Sequence, residues 1–311
     1  MNSYNEFNYQ AYLESKIKID YRSLNRTVFN TFKTLIRREK NPVILDIGTG
    51  TGLMIRKLLQ LKLVGDVMFY GLEWEKRSCE KACELIKEEL SNFGFTHYKK
   101  NNVHFAQKDH STYRIEIIHS DFFDDKTFES LKTIGFKCIT ANSFMDMVYL
   151  DSAVDQVHRL LRKNGIFYST INYDGLTNLL PLWLDESFEG DLLSAYNFSM
   201  DTRRVNGKST GGSRTGSRLF SAAQKRGFSI IDYGSSDWQL FPKKGRYSKD
   251  ERFFLKTIIR MIYKEGTLVS SIDKRKLEEW YNTRLMQIND NLLTLITHQT
   301  DILAIKKTYQ I

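Results

Sequence analysis

Asp46, Gly48, Gly50 and Gly52 stand at alternate positions in "VILDIGTGTGL" (43–53), and Glu73 follows 21 residues after Gly52. Glycines spaced this way let a backbone pass close to a compact ligand. The aspartate at the strand end can accept from an ammonium or orient the loop. Glu73 closes the next apolar run, where a carboxylate can accept both hydroxyls of a ribose. Trp74 beside it offers a flat face to an adenine ring. Asp121, with Phe122 and Phe123 behind it, closes a third run and can accept from an adenine amino group. Two other nucleotide sites are excluded. A P-loop needs Lys-Ser/Thr after its last glycine, and Leu53-Met54 stand there. A dinucleotide turn needs Gly-x-Gly-x-x-Gly, and its third position here is Leu53 or Ile55.

The elements that must position these residues follow from periodicity. Strands are expected at 43–47, 66–73, 114–121, 136–143 and 166–173. Helices are expected within 23–40, at 53–61, from Trp74 to Gly94, and at 152–165. The alternation gives βαβ units and a parallel sheet. Residues 95–112, polar and rich in Lys, His and Asn, read as a surface loop. Residues 176–200 are apolar and aromatic without a clean period. "NGKSTGGSRTGSR" (206–218) reads as a loop overlapping a short helix at 218–227. "FSIIDYG" and "DWQLF" read as the last, antiparallel strands. Leu277, Trp280, Arg284, Ile288, Leu292, Leu295, Gln299 and Ile302 recur at three- or four-residue steps, which predicts one long amphipathic helix.

A chain of 311 residues with 41% hydrophobic residues and three prolines can bury a substantial core. The opening "MNSYNEFNYQ" lacks the apolar stretch of a secretory signal. No apolar run reaches the roughly 18 residues that span a bilayer, so no membrane partner is expected. Cys79, Cys83 and Cys138 form neither a paired framework nor a zinc pattern, which fits a reduced cytoplasm and no metal. The net charge of +9 gathers in residues 201–276, where 18 Lys+Arg face 7 Asp+Glu. Such a segment can attract nucleic acid, anionic lipid or an acidic substrate.

With these motifs in order, the chain resembles the class I S-adenosylmethionine-dependent methyltransferases over residues 25 to 240. "VILDIGTGTG" looks like their first motif, "YGLEWE" their second, "HSDFFDD" their third and "ITANSFMDMV" their fourth. "LLRKNGIFYSTIN" resembles the helix, turn and fifth strand that follow. The resemblance implies a doubly wound α/β fold with a seven-stranded Rossmann-like methyltransferase sheet. N-terminal, cap and C-terminal helices would be added to it. The division expected is a helical lid (1–40), a cofactor-binding domain (41–241) with a cap insertion at about 174–217, and a C-terminal helical extension packed on the core (242–311). It further implies S-adenosylmethionine as cofactor. Asp46, Gly48, Thr49, Gly50 and Gly52 would hold its amino-acid end, Glu73 the ribose, and Trp74, Asp121 and Phe122 the adenine. Asn142 and Ser143 would face the methyl group.

The activated methyl group leaves the protein mainly a positioning task. "ANSF" lacks the prolines of the Asn/Asp-Pro-Pro-Tyr/Phe motif that holds planar amines. No paired cysteine supports C5-cytosine chemistry. The acceptor expected is a small molecule, methylated at N, O or C, with Tyr9, Asn172, Tyr173, Tyr196 and Arg203 as candidate contacts. An RNA or protein acceptor using the basic segment is the alternative. A non-catalytic S-adenosylmethionine-binding role is a third reading. On a helix, His298 would share a face with Asp301, making His298 a candidate base.

Overall fold

The computed structural model describes residues 9–307. Helix α1 (Tyr9–Ser23) comes first, then α2 (Arg26–Arg37). Asn25 caps α2 by accepting from the Val28 N–H at 3.1 Å, and Val28, Phe32 and Ile36 form its buried stripe. Strand β1 (Val43–Ile47), α3 (Leu53–Leu59), β2 (Asp66–Glu73) and α4 (Lys76–Asn92) then alternate as predicted. Gly94, at φ +69°, lets the chain turn away after α4.

Residues 95–112 are not a loop. They form β3 (Thr96–Lys100), β4 (Val103–Lys108) and the start of β5 (Ser111–His119). Tyr98 stacks on Phe105 across the β3–β4 ladder at 5.1 Å. Lysines along this edge strand hid its alternation, and such charges also protect an exposed edge from mispairing.

Next come α5 (Asp125–Lys132), β6 (Phe136–Asn142), α6 (Leu150–Leu160) and β7 (Leu161–Leu180). The helix expected to reach 165 thus stops at Leu160, and Leu161 already pairs with Phe136. Helix α7 (Glu186–Thr202) occupies the aperiodic stretch. The expected loop at 206–218 holds part of a hairpin, β8 (Arg204–Val205) with β9 (Lys208–Ser209), and the start of α8 (Thr215–Lys225). Then follow β10 (Phe228–Ser235), β11 (Trp238–Leu240), α9 (Lys249–Leu268), α10 (Lys274–Asn289) and β12 (Thr294–Lys306).

The long terminal helix is therefore corrected. Asn291 at φ +57° breaks it after α10, and the remainder is a strand. Apolar residues at 292, 295 and 302 fit a helical stripe. Yet Thr294, Ile296, Thr297, Thr300, Ile302 and Ile305 give the segment a β-branched composition. The extension from 242 is consequently not all helical.

Two compact units make up the chain. The larger holds Leu24–Asp174, Arg203–Ser236 and residues 299–307. Its sheet runs β10-β12-β7-β6-β1-β2-β5-β4-β3. The stretch from β10 to β5 is the expected seven-stranded order. β4 and β3 extend it antiparallel beyond β5. Ile44, Phe69, Ile115 and Cys138 pack with α2, α3 and α4 on one face. Leu45, Ile47, Leu72 and Ile139 pack with α5, α6 and α8 on the other. Apolar side chains on both faces of the central strands are what a doubly wound sheet requires.

The smaller unit gathers α1 up to Ser23, Gly175–Thr202 and Asp237–His298. The expected 1–40 lid is divided, with α1 here and α2 in the larger unit. Helix α9 starts with a capping box between Ser248 and Glu251, and Glu251 also pairs with Arg22 at 2.5 Å. Trp238 donates to buried Asp20 at 2.9 Å. Inside this unit Arg284 is fully buried and donates through Nη2 and Nε to Glu189 Oε1 at 2.5 and 3.2 Å.

Candidate active site

The glycine loop leaves β1 between two buried carboxylates. Asp46, 2% exposed, accepts from Thr49 Oγ1 on one oxygen and from Thr140 Oγ1 on the other, both at 2.6 Å. These contacts make it an organiser of the loop. Gly48, Gly50 and Gly52 lie at φ +61°, +53° and +78°, the left-handed region that favours glycine. A Cβ on Gly48 would sit 2.2 Å from the Phe144 ring. The Thr49 N–H donates to the Leu72 carbonyl at 3.0 Å, tying the loop to β2. Glu73, 3% exposed, accepts from the Gly50 N–H at 2.8 Å and from the Glu75 N–H at 3.0 Å. Burial raises its pKa. Each carboxylate oxygen has more than one lone pair, so Glu73 retains acceptor capacity for a ligand.

Burial pushes the Asp46 carboxyl up to about 6. A carboxyl whose folded pKa exceeds its unfolded value binds more protons in the folded state, so its contribution to stability falls as pH rises through that window. Between an ordinary value of about 3.9 and about 6 this amounts to on the order of 3 kcal/mol. Asp46→Asn removes the titration. Urea denaturation from pH 4 to 7 should show the variant gaining on the wild type as pH rises. A constant difference would mean that Asp46 titrates as an exposed carboxyl does.

The other strand ends carry the remaining candidates. Trp74 is 65% exposed, so its ring is accessible. Asp121 is exposed and accepts from the Phe123 N–H at 2.7 Å, whereas the cap of α5 is Asp124. Phe122 is buried, edge-on to Phe144 at 5.8 Å. Asn142 accepts from Thr170 Oγ1 at 2.7 Å. Ser143 sits at φ +50°, its N–H bonded to the Thr170 carbonyl, and its buried Oγ has no hydrogen-bond partner. Asp46, Glu73, Asn142 and Ser143 thus lie with the glycine loop along one sheet edge, at the C-terminal ends of β1, β2 and β6.

The acceptor candidates separate. Asn172 is 1% exposed, accepts from Ser169 Oγ and donates to the Thr300 carbonyl, both at 2.9 Å, so its amide joins β7 to β12. Tyr173 is half-buried and follows it; Arg203 is exposed. Tyr196 is half-buried on α7, in the smaller unit. The Tyr9 side chain lies outside the described residues. The expected His298–Asp301 pair is replaced. His298 Nδ1 lies 2.9 Å from Asp237 Oδ1, and odd spacing on a strand puts residues 298 and 301 on opposite faces.

Thr140, Thr170 and Phe144 escaped sequence reasoning. Thr140 faces Asp46 across the β1–β6 ladder. A lone hydroxyl within the buried run "FKCITAN" was the available signal, because a buried hydroxyl needs a partner.

The family model described as "Methyltransferase domain" matches residues 38–194. No curated protein matches the chain. Similar solved structures include a SAM-dependent methyltransferase from Thiobacillus denitrificans in complex with S-adenosyl-L-homocysteine. It is 10% identical with TM-score 0.45, over 95% of this chain and 98% of that one. A SAM-dependent methyltransferase from Geobacter sulfurreducens, also with S-adenosyl-L-homocysteine, is 10% identical with TM-score 0.43, over 92% and 93%. The YcgJ protein from Bacillus subtilis is 15% identical with TM-score 0.44, over 91% and 100%. The chain belongs to the family described as a methyltransferase domain. Among the described residues no helix is long and apolar enough to cross a membrane, and no cluster of three metal-ligating side chains occurs.

Proposed function

We propose that S-adenosylmethionine lies along the C-terminal ends of β1, β2, β5 and β6, and that its methyl group passes to a nucleophilic N, O or C of a small-molecule acceptor. The observation that carries this is the Gly50–Glu73 clasp, a left-handed glycine loop held by a buried carboxylate with lone pairs to spare. Gly48, Thr49, Gly50 and Gly52 form the cradle for the amino-acid end, and Asp46 fixes it from below. Glu73 takes the ribose hydroxyls. Trp74, Asp121 and Phe122 border the adenine. Asn142 and the unpartnered Ser143 hydroxyl face the acceptor side, with Tyr173 and Arg203 beyond.

When bound, the cofactor supplies a methyl group activated on a sulfonium. The protein positions the reactants and excludes water. A thiol nucleophile is disfavoured. Burial raises the Cys138 thiol pKa beyond the usual range and pushes Cys79 up to about 12. All three cysteines are free of disulfides, which suits a reducing cytoplasm.

Calorimetric titration of S-adenosylmethionine and S-adenosylhomocysteine tests the pose. Glu73→Ala should weaken binding by roughly 1.5–3 kcal/mol, the scale of hydrogen bonds to a charged group. Unchanged affinity in a folded variant would sink it.

A further inference from the structure

Within the larger unit, α6 and α8 both begin at one open cavity of 620 Å³. Lys208, Arg214, Arg218 and Lys225 line it, against the single carboxylate of Asp151. Arg214, Arg218 and Lys225 recur at i, i+4 and i+11 along α8 and so share one face of it. Lys208 is held over the Tyr149 ring at 5.2 Å, and Arg218 Nη1 donates to the Gly211 carbonyl at 2.9 Å. Neither helix has a side-chain cap at its N-cap residue, Tyr149 or Arg214. Asp174 takes the Ser217 N–H and hydroxyl at 3.1 and 2.5 Å. Asp174 thus occupies the start of α8, while the start of α6 and four cations concentrate positive potential here.

An independent feature points to a ligand. Thr210 lines the cavity, is 7% exposed, and its buried Oγ1 has no hydrogen-bond partner. A buried hydroxyl without a partner is costly unless something binds it. The cavity also adjoins the acceptor side of the site. The loop from β6 runs through Ser143 to Tyr149, at the cavity's wall. A Cβ on Gly211 would lie 2.5 Å from the Met145 carbonyl and 3.1 Å from Asp146 Cα, so the two loops are in tight contact.

We infer that this cavity binds a phosphate group carried by the methyl acceptor, which makes the acceptor a phosphorylated small molecule. The inference rests on the methyl-transfer reading above. Four cations, a hydroxyl and the N-terminus of α6 suit a dianion with three peripheral oxygens better than a carboxylate with two. The volume exceeds that of phosphate alone and leaves room for the group that bears it.

The test is titration of inorganic phosphate into the full chain saturated with S-adenosylhomocysteine, at fixed ionic strength. Saturable binding is expected. It should weaken tenfold or more in Lys208→Ala/Arg214→Gln and measurably in the charge-neutral Thr210→Val. The charge-matched Lys99→Ala/Lys100→Ala, on exposed β3, should bind as wild type. Absent binding, or equal losses in both charge-removing variants, would overturn the inference. So would binding of an RNA oligonucleotide with a steep salt slope and none of phosphate, which assigns the cavity to a polynucleotide backbone. S-adenosylhomocysteine affinity, read in the same samples, separates the two readings. If it persists while phosphate fails, only the subsite falls. If it is absent, the cofactor reading falls.

Discussion

Asp301→Ala should destabilise the protein by about 2–6 kcal/mol, the cost of two orphaned buried donors. Asp301 is fully buried in β12. One carboxylate oxygen accepts from the Ile171 N–H at 2.9 Å and the other from the Asn25 N–H at 2.8 Å. Ile171 lies at φ +57°, a conformation that a β-branched residue adopts only under constraint. Without the carboxylate the bend at Ile171 within β7 loses its anchor, as does the start of α2. Urea denaturation and S-adenosylmethionine titration read the two consequences. Asp301→Asn keeps one acceptor and should lose less. A loss under about 1 kcal/mol for Asp301→Ala would mean that water takes over both contacts.

Glu189→Ala should cost the smaller unit about 3–5 kcal/mol, the usual penalty for breaking a buried ion pair from one side. Glu189 Oε1 accepts from Arg284 twice and from Trp280 Nε1 at 2.6 Å. The guanidinium would keep the Pro181 carbonyl and Gln287 Oε1, both at 2.8 Å, and the Trp183 ring. It would have no counter-charge in contact. Glu189→Ala/Arg284→Met removes the stranded charge and should recover most of the loss. Thermal denaturation of the four proteins in the cycle measures the coupling. Additive losses would show that the pair contributes nothing as a pair.

The contrast between these networks and the glycine loop explains what was legible in the sequence. The loop, Glu73 and Asp121 are local signals, because a strand end followed by glycine or acid is written in consecutive residues. Asp46 needs Thr140, 94 residues away, and no local pattern couples them. The 277–302 stripe failed for a different reason. Apolar residues three or four apart satisfy a helix, while a strand buried on both faces accepts them equally. β3 was hidden because an edge strand carries lysines where a central strand carries valines.

Strand β12 lies between β7 and β10, yet its residues follow those of β7 by more than 100 positions. Until segment 294–306 arrives, β7 and β10 each present an unsatisfied row of amides and carbonyls. Closing so long a loop is slow, and open strand edges invite pairing with other chains. Filling this gap inside the sheet is therefore expected to be a late step of assembly, with open edges exposed to aggregation until then. Slow dilution from denaturant at low protein concentration should improve recovery of native protein for this reason.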